Sequence, residues 1–264
     1  MSATAGAGVN ERLARLTELG VSIWIDEIRR SLIESGELAR LRDELSLRGE
    51  TSNPAIFEKA ILGGDEYDEF IGELAREGKD ATEIYLAIAV RDVQDACDVL
   101  RPVWDEAGGA DGFVSLEVEP SLAHDTDATL ASARELWKRV DRPNVMIKIP
   151  GTEEGIPAIE EATADGINVN VTLLFGLERY ERVIDAYVSG LEERLAARSI
   201  DQANCGGRGS ACGCRPRITS GMVTAAIPDS GVTGASSWAP SVGIQEQAIM
   251  QSMLLMGDPS FRSS

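Results

Sequence analysis

The sequence predicts an α/β protein built from parallel strand and helix units, closed as a barrel or laid out as an open sheet. Two observations lead there. Short β-rich runs alternate with longer amphipathic runs over residues 1–200, the pattern of β/α units. The length, 264 residues, also falls near the about 250 residues of a single α/β barrel.

The elements follow in order. Val21–Asp26 (V-S-I-W-I-D) reads as a first strand, leading into a helix over Glu27–Arg40 with Ile28, Leu32 and Leu38 inward. A short second strand is expected at Gly49–Thr51. A helix then starts at Pro54, since a proline at the first helical position gives up an N–H that would have no partner there. Helices are expected at Tyr67–Glu77 and Thr82–Ala107, the second with Ile84, Ile88 and Val99 inward. The third strand is Phe113–Val118, followed by a helix near Asp127–Val140 that Asp125 or Thr126 caps. Val145–Ile149 is the fourth strand, Glu153–Ala164 a helix, Ile167–Thr172 the fifth strand and Leu177–Ala197 a long helix. The Gly pairs at 63–64 and 108–109 lack the strand-to-helix setting of a phosphate loop and read as turns.

Charge is spread unevenly. The chain carries 44 acidic and 25 basic residues, net −19, and residues 201–264 hold only four of each. The excess of acid argues against a nucleic-acid surface, which needs clustered Lys and Arg. No run approaches the roughly 20 apolar residues of a membrane span, and Met1–Asn10 lacks a signal peptide's regions, so a cytoplasmic address is expected. Cys205, Cys212 and Cys214 are spaced C-x6-C-x-C, which matches no common zinc framework, and His124 lies far upstream. No metal is expected, and His124 reads as a surface loop residue.

Chemistry is expected at strand ends, because the interior of such a fold is packed and the C-terminal rim reaches solvent. Asp26, Glu117, Lys148, Asn170 and Thr172 each come late in an otherwise apolar run, and Asn53 follows the second strand. Lys148 stands among Val145, Met146, Ile147 and Ile149. Desolvation there would favour a neutral, nucleophilic amine able to form a Schiff base with a ketone. The plainer alternative is a lysine whose stem lies along apolar surface with its head in water. Asp26 and Glu117 suit proton transfer, or are solvated strand-end acids. Asn53, Asn170 and Thr172 suit hydroxyl binding, or satisfy buried backbone.

The segments V-S-I-W-I-D-E-I, T-S-N-P-A-I-F, V-S-L-E-V-E-P-S-L-A-H-D-T, R-P-N-V-M-I-K-I-P-G-T-E-E-G and G-I-N-V-N-V-T-L-L-F-G-L-E-R-Y resemble transaldolase, especially its actinobacterial form, over about residues 10–200. The resemblance implies a (β/α)8 TIM barrel without metal or organic cofactor. It also implies transfer of a dihydroxyacetone unit from sedoheptulose 7-phosphate to glyceraldehyde 3-phosphate, in the pentose phosphate pathway, giving erythrose 4-phosphate and fructose 6-phosphate. By motif, Lys148 would be the Schiff-base lysine and Asp26 the acid/base at the C4 hydroxyl. Glu117 would act through a water that Thr172 supports. Asn53 and Asn170 would hold hydroxyls of the dihydroxyacetone unit, and Thr51 would line the same pocket. The partners implied are sugar phosphates, with no nucleic acid and no membrane; a homo-oligomer is left open.

The resemblance ends near Ile200, where the family continues with a sixth strand carrying a serine and an arginine that help hold the substrate. The later fragments C-R-P-R-I-T-S and S-W-A-P-S-V-G-I are faint counterparts, and neither Arg215 nor Arg217 is assigned to a phosphate. Three further β/α units need about 90 residues. Residues 201–264 are fewer than that, Gly/Ser-rich, and hold one short helical pattern at Ile244–Met256. The expectation is therefore a barrel portion over 1–200, incomplete or irregular after the fifth strand. A divergent segment over 201–264 would follow, disordered or arising from a shifted reading frame. A barrel lacking strands should expose apolar helix faces. The alternative to an active transaldolase is an inactive remnant of one.

Overall fold

The computed structural model describes residues 9–204 and 222–225, and among these the chain divides into two compact units. The first holds residues 9–116 and 142–144, the second residues 117–141, 145–204 and 222–225.

In the first unit, helix α1 (Glu11–Glu18) precedes strand β1 (Ile23–Asp26). Helix α1 is not among the elements the sequence predicts: it buries none of its residues and so leaves a weak core signal. The helix expected over Glu27–Arg40 is two helices, α2 (Arg30–Glu34) and α3 (Glu37–Glu44). The break is Gly36, whose φ of 78° is left-handed and favours glycine. Strand β2 (Leu47–Thr51) pairs in parallel with both β1 and β3 (Phe113–Glu117). Sequential neighbours in this order are the barrel pattern, whereas a doubly wound sheet reverses direction around its first strand. Gly49 of β2 is required by packing, because a Cβ there would enter the ring of Trp24 on β1.

Helix α4 (Pro54–Leu62) has Asn53 as its N-cap and Pro54 in its first turn. Helix α5 (Asp68–Arg76) and the 26-residue α6 (Ala81–Glu106) follow. Asp80 and Glu83 form a capping box at the start of α6, each accepting from the other's backbone N–H. One charge network ties this unit together. The Arg30 guanidinium donates twice to Asp92 Oδ1, at 2.8 and 3.0 Å, and Tyr67 donates to Asp92 Oδ2 at 2.8 Å. Tyr67 Oη in turn accepts the Arg30 backbone N–H at 2.9 Å, and the guanidinium lies 4.7 Å over the Tyr67 ring. Arg30 and Asp92 are both buried, so truncating one leaves the other charge without compensation.

Glu50, on β2, is a different case. It is fully buried, and both carboxyl oxygens have no hydrogen-bond partner among the described residues. Desolvation, then the nearby charges of Glu27 and Asp92, push its carboxyl well above the ordinary carboxylate range. The folded chain therefore holds that proton to a higher pH than the unfolded chain does.

In the second unit, α7 (Thr126–Val140) is capped by Asp125, which accepts from Ala128 N–H; Thr126 instead donates to the Glu154 carbonyl at 2.7 Å. Strand β4 (Val145–Pro150), helix α8 (Gly155–Asp165), strand β5 (Val169–Leu174) and the 28-residue α9 (Leu177–Asn204) follow. Strands β4 and β5 pair in parallel, and a further strand, β6 (Met222–Ala225), pairs in parallel with β5. This strand is not among the predicted elements, since M-V-T-A sits in a low-charge stretch without alternation. The segments expected to be divergent at 205–221 and 226–264, with Ile244–Met256, Arg215, Arg217 and the three clustered cysteines, lie outside the described residues.

An apolar stripe runs along α9. Leu177, Ile184, Val188 and Leu195 recur at helical spacing and are exposed.

Three outcomes are expected. Asp92→Ala should lower unfolding free energy by about 3–5 kcal/mol in denaturant titrations. For Glu50 the folded pKa lies above the unfolded one, so its contribution is intact below about pH 4.5 and is lost as pH rises from there. Glu50→Gln should therefore flatten the alkaline decline in stability by up to ~1.4 kcal/mol per pH unit. Ile184→Ser with Val188→Ser should raise solubility and leave the melting temperature within a few degrees, because both side chains already face water.

Candidate active site

The second unit holds four of the seven expected site residues. Parallel pairing sets Lys148 opposite Asn170 and Pro150 opposite Thr172. Paired residues of adjacent strands share a face, and so do residues two apart on one strand, so Lys148, Asn170 and Thr172 lie on one side of the ladder. Glu117, the last residue of β3, reaches that side too. Its Oε2 lies 3.3 Å from Lys148 Nζ, and Val118 N–H donates to the Lys148 carbonyl at 3.1 Å. The Lys148 and Glu117 side chains are only 13% and 14% exposed. The solvated-lysine alternative is therefore not what the fold adopts. Asn170 is buried and Thr172 partly so.

The apolar flanks of Lys148 mark it in the sequence, but its direct ion pair with Glu117 is set by the fold. A carboxylate at this distance attracts the ammonium and is also a proton acceptor within reach of it. A nucleophile needs such an acceptor before it can attack a carbonyl.

Backbone strain marks the end of β5. Leu173, directly after Thr172, has φ of 61°, and the β5–β6 register shifts between Val171 and Leu174. A left-handed non-glycine residue costs about 1–3 kcal/mol and is found where a side chain must be re-aimed. The loop after β4 is held as firmly. Thr152 Oγ1 donates to the Ala123 carbonyl at 2.5 Å and accepts from Gly155 N–H at 2.9 Å. A Cβ at Gly155 would run into the Pro150 carbonyl, so the second glycine of P-G-T-E-E-G is needed for close backbone approach. Beyond this loop His124 is exposed, its Nδ1 3.1 Å from Glu154.

The first unit holds the other three. Asp26, the last residue of β1, pairs with Thr51, the last residue of β2, and Thr51 pairs with Ser115 of β3. Thr51 is buried and Asp26 partly exposed. Ser52 Oγ donates to the Ser115 carbonyl at 2.7 Å and fixes the turn that leads to Asn53. Asn53 Oδ1 accepts the Ile56 N–H at 3.0 Å. The plainer job foreseen for this residue, satisfying backbone, is thus one it performs.

Among the described residues no group of three or more His, Cys, Asp and Glu side chains is disposed to hold a metal. Cys97 is buried in α6, where desolvation, followed by the charges of Glu50 and Asp98, pushes its thiol well up. A thiol held in that form is no nucleophile.

Parallel β/α units with a lysine and a carboxylate joined at neighbouring strand ends define a class, the α/β enzymes that work from the C-terminal ends of their strands. Residues 23–210 match the Transaldolase/Fructose-6-phosphate aldolase family, and the chain belongs to that family. Relatives named transaldolase include one from Parafrankia sp., 52% identical over 189 residues, and one from Mycobacterium marinum, 49% identical over 191. Each alignment covers 72% of this chain and 51% of the relative, and one from Mycobacterium tuberculosis, 48% identical, covers 73% and 52%. The chain thus spans about half the length of the curated relatives it matches.

Replacing Leu173 by Gly should stabilise the fold by about 1 kcal/mol through relief of the left-handed backbone, read from denaturant midpoints.

Proposed function

We propose that the chain is a transaldolase that transfers a dihydroxyacetone unit between sugar phosphates through a Schiff base on Lys148. The single observation that carries this is the largely buried Lys148–Glu117 pair, 3.3 Å apart at adjoining strand ends. Membership of the family supports it. Sedoheptulose 7-phosphate is the donor and glyceraldehyde 3-phosphate the acceptor, with erythrose 4-phosphate and fructose 6-phosphate as products, in the cytoplasmic pentose phosphate pathway.

The chemistry is assigned as follows. Lys148 gives up a proton and attacks the C2 carbonyl of the donor ketose. The carbinolamine loses water, with Glu117 moving the proton through a water that Thr172 holds, and a protonated imine results. Asp26 takes the proton of the C4 hydroxyl as the C3–C4 bond breaks. The electron pair passes into the imine, the aldehyde fragment leaves, and the three-carbon unit stays on Lys148 as an enamine. The acceptor aldehyde is attacked by that enamine, Asp26 returns the proton, and water releases the ketose. Asn170, Asn53 and Thr51 hold hydroxyls of the three-carbon unit. Protein groups supply every proton transfer, and no cofactor is invoked.

Borohydride reduction in the presence of fructose 6-phosphate should fix one sugar on Lys148, located by peptide mass, and Lys148→Ala should abolish it. Glu117→Gln should slow imine formation about 10²–10⁴-fold, the usual range for loss of a general acid/base. A folded, soluble sample that yields no adduct would establish the second reading, an inactive remnant.

A further inference from the structure

Two threonines join the loops that leave the strands of Glu117 and Lys148. Glu117 closes β3, and the chain beyond it passes through a short turn at Pro120–Leu122 to Asp125, the cap of α7. Lys148 lies on β4, and the chain beyond Pro150 passes through Thr152 into α8. Thr152, in the second loop, donates its hydroxyl to the Ala123 carbonyl of the first at 2.5 Å. Thr126, where the first loop enters α7, donates to the Glu154 carbonyl of the second at 2.7 Å. The two bonds run in opposite directions, each side chain reaching the other loop's backbone.

A threonine hydroxyl at or inside a helix ordinarily bonds within its own segment, as Thr163 does to the Ile159 carbonyl in α8. Thr152 meets its local need by accepting Gly155 N–H, yet its own proton goes to the other loop. Thr129, one turn into α7, donates to the Leu122 carbonyl at 2.7 Å and holds the first loop against its helix. Gly151 N–H donates to the Thr172 carbonyl at 2.7 Å and ties the second loop to the end of β5. Thr152 comes four positions after Lys148 and Ala123 six after Glu117, so the clasp fixes both chain exits close to the ion pair.

We propose that Thr152, with Thr126 as its counterpart, is a positioning residue for imine formation, and that this clasp sets the separation of Lys148 Nζ from the Glu117 carboxylate. The inference rests on the Schiff-base reading above and deepens it. Opening the clasp has two effects on Lys148. An amine less firmly paired with a carboxylate is neutral more often, so it reacts faster with an acylating reagent. A displaced Glu117 moves protons less well, so imine forms more slowly.

The test compares variants of the full chain by competitive labelling of Lys148 with acetic anhydride, read by peptide mass, and by borohydride trapping with fructose 6-phosphate. Thr152→Val keeps the β-branched shape and removes the hydroxyl. It is expected to raise Lys148 labelling severalfold and to slow imine formation about tenfold to a hundredfold, the scale of a small misplacement of reacting groups, without changing the sugar concentration at half-maximal rate. Thr152→Ser is expected to restore both readouts. On a Glu117→Gln background Thr152→Val should add nothing to the labelling, which separates positioning of Glu117 from general loosening. Thr163→Val, which removes a similar bond inside α8, should change neither readout. If Thr152→Val does not fold, Thr126→Val opens the same clasp from the other side and carries the same expectations. Unchanged labelling in the clasp variant, an equal change in Thr163→Val, or a further rise on the Glu117→Gln background would each overturn the proposal. If no sugar forms an imine on the unaltered chain, the Schiff-base reading fails on its own, and the labelling comparison still decides the clasp.

Discussion

The parallel ladder between β4 and β5 is the constraint on which the chemistry of the second unit depends. It fixes Lys148 beside Asn170 and Pro150 beside Thr172, and the period of two along each strand then turns their functional groups to one side. A slip of one residue would send Lys148 to the opposite face and separate it from Glu117. The register is held by more than the ladder. Asn168 Nδ2 donates to the Val145 carbonyl at 2.9 Å, and Ile147 N–H donates to the Asn168 carbonyl at 2.8 Å, both at the entry to the strands. At the exit, Thr152 and Gly155 lock the loop after β4. Between those anchors the strand residues have little freedom to shift.

The first unit solves a similar problem with a different interaction. There the ends of β1 and β2 carry Asp26 and Thr51, and the elements around them are tied by the buried Arg30–Asp92–Tyr67 network. Buried charge is an expensive way to hold a fold, because each partner depends on the other for its solvation. The same helix that supplies Asp92 also faces Glu50 and carries Cys97, whose ordinary titrations are both suppressed by desolvation. This unit therefore combines buried groups that are paired as ions with others whose charged forms burial disfavours.

Much of the site was legible in the sequence because strand ends announce themselves. Lys148 interrupts an unbroken apolar run, and Glu117 and Asn170 do the same in theirs, so each could be picked out singly. Their pairing was not legible, since Lys148 and Glu117 stand on different strands and nothing local links them. The Arg30–Asp92 pair spans 62 positions, and nothing local marks either residue as buried. Glu50 escaped notice for the opposite reason: L-R-G-E-T looks too polar to be a core strand, yet its carboxyl is fully enclosed. The split at Gly36 and helix α1, none of whose residues is fully buried, are failures of periodicity, which cannot show where a left-handed residue interrupts a helix pattern or where a helix contributes little to the core. Thr126 and Thr152 stand within recognised motifs, but only the fold shows that their two loops are joined.

The central claim is that Lys148 is the covalent anchor for a sugar, served by the groups that share its face. A crystal structure of the chain reduced with borohydride after mixing with fructose 6-phosphate tests it most directly. The account predicts continuous density from Lys148 Nζ to C2 of the sugar, with Asn170 in hydrogen-bond contact with its hydroxyls and Glu117 at the same nitrogen directly or through one water. Density for the sugar on another lysine, or an unmodified Lys148 still paired with Glu117 after the sugar has bound elsewhere, would contradict it.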